Sequence, residues 1–131
     1  MKKTEIEVIK EFFVEILPYI VDSYKRKEEL TISTKKDATD FLTEVDLFVQ
    51  SSFIKKIKSF FPEDLIIGEE AGFSQYEEDY KGRVWIIDPI DGTANFVRSY
   101  FPAFVVAIAF ANNGELVSSG VLVPIMGDVF I

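Results

Sequence analysis

The chain has 131 residues, 48% of them hydrophobic and 13 of them Phe, which is enough apolar material to bury the core of one domain. Its 14 basic and 22 acidic residues leave a net charge of −8, which argues against nucleic acid and anionic membrane as partners, because both are held by basic surfaces. It contains neither Cys nor His, so disulfides, thiolate and imidazole catalysis and Cys/His zinc sites are removed together; chemistry is left to carboxylates, hydroxyls, Lys, the backbone and oxygen-ligated metal ions.

Met1-Lys2-Lys3 is basic, but Glu5, Glu7 and Glu11 interrupt the stretch that a secretory leader would keep apolar. The strongest apolar run, residues 101–111, is too short to span a bilayer, so a soluble, cytoplasmic chain is expected. Thr4-x-x-Glu7 is a capping-box pattern that opens a first helix. Ile9, Phe12, Phe13, Ile16, Leu17 and Ile20 follow at helical spacing and form its apolar face, with Pro18 expected to kink or divide it. The run Lys25-Arg26-Lys27-Glu28-Glu29 reads as a solvated end, residues 30–33 as a short strand and residues 34–40 as a loop. A second helix is expected over 43–60, with Val45, Phe48, Val49, Phe53, Ile57 and Phe60 along one side and Phe61-Pro62 as its stop.

Beyond Pro62 the pattern changes to strands. Leu65-Ile66-Ile67 reads as a short buried strand ending at Gly68-Glu69-Glu70, and residues 71–82 as a polar, acidic loop. A second strand over 83–87 runs into Asp88-Pro89, where the Pro should stop the ladder. Residues 104–111 and 116–123 form a strand pair across the Asn112-Asn113-Gly114 turn, and residues 124–128 turn into a last strand at 129–131. Two helices followed by hairpin-linked strands predict an α+β fold, with the two N-terminal helices packed on a mainly antiparallel sheet.

Three acidic segments carry the chemistry. In Asp88-Pro89-Ile90-Asp91-Gly92-Thr93 a buried strand delivers one carboxylate, a second follows three residues later, Gly92 lets a ligand approach the backbone, and Thr93 adds a hydroxyl. Free N–H groups of a helix starting there would form an anion site. Gly68-Glu69-Glu70 ends another buried strand, and Asp40-x-x-Thr43-x-x-Asp46 opens the second helix. Each has a plain structural reading: a capped turn, an exposed acidic pair and a helix start, respectively. Together they offer only hard oxygen ligands, which select Mg2+, or Mn2+, over zinc or copper.

These segments, in this order, resemble the inositol monophosphatase family of metal-dependent sugar phosphatases. Asp88-Pro89-Ile90-Asp91-Gly92-Thr93 is similar to the family signature, Gly68-Glu69-Glu70 to a second block, and Asp40-x-x-Thr43-x-x-Asp46, preceded by Lys35-Lys36, to a third. The resemblance implies the first half of a layered α/β/α/β/α fold and hydrolysis of a phosphomonoester of inositol or a related small sugar or polyol by metal-activated water. It implies that Glu69, Asp88 and the Ile90 carbonyl bind a first metal, that Asp88 and Asp91 help bind a second, and that the Gly92 and Thr93 N–H groups hold phosphate. It further implies that Glu69 and Thr93, with Asp46 behind Thr93, orient and activate the attacking water. Glu70 takes a supporting role, as does one of the pair Lys35 and Lys36, with Lys36 named for it. A homodimer is the implied assembly.

Members of that family are longer, and their second half carries a Trp-Asp-x-Ala-x-Gly block whose Asp completes the second metal site; nothing in this sequence matches it. Residues 1–131 are therefore expected to be an N-terminal metal-binding domain without its C-terminal partner. Two alternatives accompany this reading: an inactive truncated domain that binds metal weakly or self-associates, and a fructose-1,6-bisphosphatase-like activity of the same family. The haloacid-dehalogenase phosphatases, which use Asp-x-Asp-Gly-Thr, are set aside because two residues separate Asp88 from Asp91.

Overall fold

The structure, a computed structural model, describes residues 2–33, 38–68, 81–91 and 104–131, with side chains at 27–33, 38–43 and 90–91 outside the description. Helix α1 spans Glu5–Ser33 and helix α2 spans Ala38–Phe60. The strands are β1 (Leu65–Gly68), β2 (Arg83–Asp91), β3 (Val105–Asn112), β4 (Glu115–Val123) and β5 (Asp128–Phe130). They form one sheet in the order β1-β2-β3-β4-β5, with β1 and β2 parallel and every other pair antiparallel.

The capping box forms as the sequence predicts. The Thr4 N–H donates to Glu7 Oε2 at 2.9 Å and the Glu7 N–H to Thr4 Oγ1 at 3.3 Å, so two donors at the helix start are satisfied reciprocally. Two expectations for α1 are corrected. Pro18 does not divide the helix; it lies on the exposed side together with Val14, where water can meet the carbonyl that Pro leaves without a partner. Residues 30–33 are the last turn of this helix and not a strand. Extending an existing helix adds one hydrogen bond per residue fixed, whereas an isolated strand of four residues has nothing to pair with.

Helix α2 begins at Ala38, five residues before the expected start at Thr43, so Asp40 and Thr43 lie within it. The expected loop over 34–40 is thus helical from Ala38, and residues 34–37 lie outside the described residues. Val45, Val49, Phe53 and Ile57 are buried, but Phe48 and Phe60 are not part of that face. Phe48 lies against Tyr19 with ring centroids 4.1 Å apart, and Phe60 lies under the ammonium groups of Lys3 and Lys56. Both rings find cover at the rim, which an apolar count along the helix does not distinguish from core.

Both helices pack on one face of the sheet, α1 over β4 and α2 over β2. Gly120 of β4 makes the close approach of α1 possible: a Cβ there would lie 2.8 Å from Ile9 Cγ2 and 2.9 Å from Phe13 Cε2. Trp85 of β2 is the centre of the core, with the rings of Phe53, Phe61 and Phe110 at 5.9, 5.7 and 4.7 Å. The β3–β4 turn is built on Asn113 (φ 54°) and Gly114 (φ 78°), two left-handed residues whose twist suits a two-residue hairpin. Val123 and Asp128 are joined by a turn in which the Gly127 N–H donates to the Val123 carbonyl at 2.9 Å. No helix among the described residues is long and apolar enough to cross a membrane.

Candidate metal centre

Helix α2 and strand β1 are joined by residues 61–64, so α2 runs back along β1 and its N-terminal half lies beside the exit of that strand. Two polar side chains from this part of α2 are buried, Asp46 at 7% exposure and Gln50 at 2%. They stand four positions apart, which is about one turn and roughly 6 Å of rise. Gln50 rests directly on Gly68, the last residue of β1: a Cβ at Gly68 would meet the Gln50 amide at 2.3–2.6 Å. Gly68 in turn pairs with Ile87, the residue before Asp88.

At the same end β2 departs from regularity. The expectation that Pro89 stops the ladder is corrected, because the strand continues to Asp91 with a register shift between Asp88 and Asp91. Asp88 pairs with Ala107 and Asp91 with Val105, so three steps on β2 match two on β3. In an unbroken strand, residues three apart belong to opposite faces. The bulge absorbs one residue and sets the Asp88 and Asp91 positions against the same face of the sheet. Pro89, which lacks an N–H, is buried within that bulge, a place where the ladder does not need its donor.

Part of the expected site falls on described elements. Asp46, Asp88, the Ile90 backbone and the Asp91 register position belong to described elements, the first on α2 and the others on β2. Glu69, Glu70, Gly92, Thr93, Lys35 and Lys36 lie outside the described residues. Among the described residues, no three acidic side chains converge on one point. The donors that are described, two carboxylates and the carbonyls of a bulged strand, are hard oxygens, and a small divalent cation suits them. Gln50 was not legible as part of this end, because a lone Gln on a helix reads as solvent-facing; its spacing from Asp46 was the available signal.

The opposite end of the β1–β2 pair is closed by a different set of charges. Asp64, buried just before β1, accepts from Arg83 Nε at 2.9 Å and from the Trp85 indole N–H at 2.8 Å. Arg83 also pairs with Glu5 of α1 at 2.9 Å and stacks over Phe61 and Phe110 at 4.9 and 4.5 Å. Its acid strength is weakened further from the ordinary value, first by the hydrogen bond to Asp64 and next against the opposing effect of burial. Every member has a structural partner, and this cluster is an anchor for the fold.

The family model for the inositol monophosphatase family matches residues 3–131. A Vibrio cholerae relative, Nus factor SuhB, is 38% identical over 112 residues, which cover 86% of this chain and 40% of that protein. A Thermotoga maritima relative, fructose-1,6-bisphosphatase/inositol-1-monophosphatase, is 36% identical over 97 residues, covering 74% of this chain and 36% of that protein. The crystal structure of extragenic suppressor protein suhB from Bartonella henselae superposes with a TM-score of 0.75 over 95% of this chain and 46% of that chain; at 22% identity this is a likeness of fold. The chain spans about two-fifths of the length of the curated relatives it matches, with coverages of 40%, 40% and 44%. The family model matches almost the whole length of the chain, and the chain belongs to the inositol monophosphatase family.

Proposed function

We propose that residues 1–131 supply the first metal site and phosphate-binding turn of a Mg2+-dependent phosphomonoesterase acting on inositol phosphate or a related small sugar or polyol phosphate. The observation that carries the proposal is the bulge in β2, which sets the Asp88 and Asp91 positions against one sheet face. Glu69, Asp88 and the Ile90 carbonyl would hold the first Mg2+, with Mn2+ as a substitute, and Asp88 and Asp91 would contribute to a second. When bound, the cation supplies an acidified water and offsets the charge on the phosphate oxygens. Glu69 and Thr93, with Asp46 behind Thr93, would orient and activate the attacking water. The Gly92 and Thr93 N–H groups hold phosphate oxygens, and Glu70 and Lys36 support the site. The name of the Thermotoga maritima relative joins two activities, so a fructose-1,6-bisphosphate is the second substrate to be tried.

The test is phosphate release from inositol 1-phosphate with Mg2+ titrated from none to saturation. The 131-residue chain alone, shown to be folded, is expected to give no turnover, because the block that completes the second metal site has no match in it. Joined to the C-terminal portion of the Thermotoga maritima relative, it is expected to turn over only with Mg2+ and to lose turnover on Asp91→Asn. Metal-independent release, or full activity in Asp91→Asn, would overturn the proposal.

A further inference from the structure

We propose that Gln50 is a positioning residue for the metal end of the sheet, a role that rests on the metal-phosphatase reading above. A buried amide on a helix fixes direction through its polar atoms, which an apolar side chain of the same bulk does not. Gln50 is 2% exposed, and its amide carbon, oxygen and nitrogen occupy the space that any side chain at position 68 would need, at 2.3, 2.3 and 2.6 Å from the Cβ position. The pair is complementary: the helix contributes a flat group, and the strand presents bare backbone to it.

The contact ties three parts of the site together. On its own helix, Gln50 stands one turn from Asp46. Through Gly68 it fixes the exit of β1, after which the sequence continues into Glu69. Through the Gly68–Ile87 pairing it fixes the point on β2 from which Asp88 follows. An amide sets these spacings without adding a further negative charge beside the carboxylates. It touches neither the reacting atoms nor, on this reading, the cation; it determines where the ligands stand.

The experiment is Mn2+ binding to the 131-residue chain by titration calorimetry, with circular dichroism confirming the fold of each variant. Gln50→Met keeps the bulk and removes the amide; it is expected to weaken Mn2+ binding by about tenfold or more, the usual cost of losing a group that orients metal ligands. Gly68→Ala is expected to weaken binding as well, and to add little further loss in a Gln50→Ala background, where the amide it would displace is already gone. Gln50→Asn, which keeps the amide but draws it back, provides a second arm if Gln50→Met does not fold, and is also expected to bind more weakly. Wild-type affinity in a folded Gln50 variant overturns the positioning role while leaving the metal site standing. If Asp88→Asn binds Mn2+ as the wild type does, the metal reading itself fails, and the positioning role with it.

Discussion

On the function proposed above, the two ends of the β1–β2 pair use the same residue chemistry for opposite purposes. At the entry end, Asp64 is buried and each of its carboxylate oxygens accepts a hydrogen bond, one from Arg83 and one from Trp85. At the exit end, Asp46 and Asp88 come from separate elements, the strand that carries Asp88 is bulged, and an amide stands between helix and strand. The entry end places cation and anion in direct contact, which serves stability. On the function proposed above, the acids of the exit end serve a cation from solution instead.

Mutations should separate the two ends. The largest effect is expected from Trp85→Ala, which removes a fully buried ring from contact with three others and should cost about 3–5 kcal/mol in urea unfolding. Asp64→Asn should follow at about 2–3 kcal/mol, because an amide offers one acceptor to two donors and one of its bonds becomes neutral. Neither acts on the chemistry, so any Mn2+ bound by the folded fraction should keep its affinity. The reverse pattern is expected of Asp88→Asn: stability within about 1 kcal/mol of wild type, as for a partly exposed position, and Mn2+ binding lost. An Asp88→Asn variant that unfolds as readily as Asp64→Asn would erase the distinction.

A smaller test uses pH. The hydrogen bond from Lys3 holds the partly exposed Glu11 carboxyl below its ordinary value of 4.5, with burial opposing and Lys56 assisting. A carboxyl depressed in the folded state stabilises the fold fully above its unfolded value, and that contribution fades as pH falls through the lower folded value. Melting followed from neutral pH to about pH 3 should therefore decline less in Lys3→Ala than in the wild type across the acid range. Equal slopes would show that the Lys3–Glu11 pair contributes nothing measurable at this end of the molecule.

Local signals in the sequence were read correctly wherever the physics was local. Thr4 with Glu7 and the Asn113-Gly114 turn each involve neighbours along the chain, and each forms as expected. The misreadings arose where a distant element decides. Thr43 has the chemistry of a cap but lies inside α2. Pro89 has the chemistry of a stop but fits a bulge that only the pairing with β3 reveals. Asp64 and Arg83 are 19 residues apart, and only the parallel pairing of β1 with β2 brings them together. For the site, the residue types and their order were legible from three short segments. The partnership of Gln50 with Gly68 was not, because it depends on how closely a helix approaches a strand.

The Asn113-Gly114 turn also has a consequence for the order in which the molecule assembles. It joins β3 to β4 across two residues, so that hairpin can close on a timescale of roughly microseconds. Strands β1 and β2 are parallel and separated by residues 69–82, so their pairing must wait for a longer loop to close. The β3–β4 hairpin then serves as the template on which β2 is laid down, with β1 added at the margin. Amide hydrogens of β3 should exchange last, and those of the edge strands β1 and β5 before them.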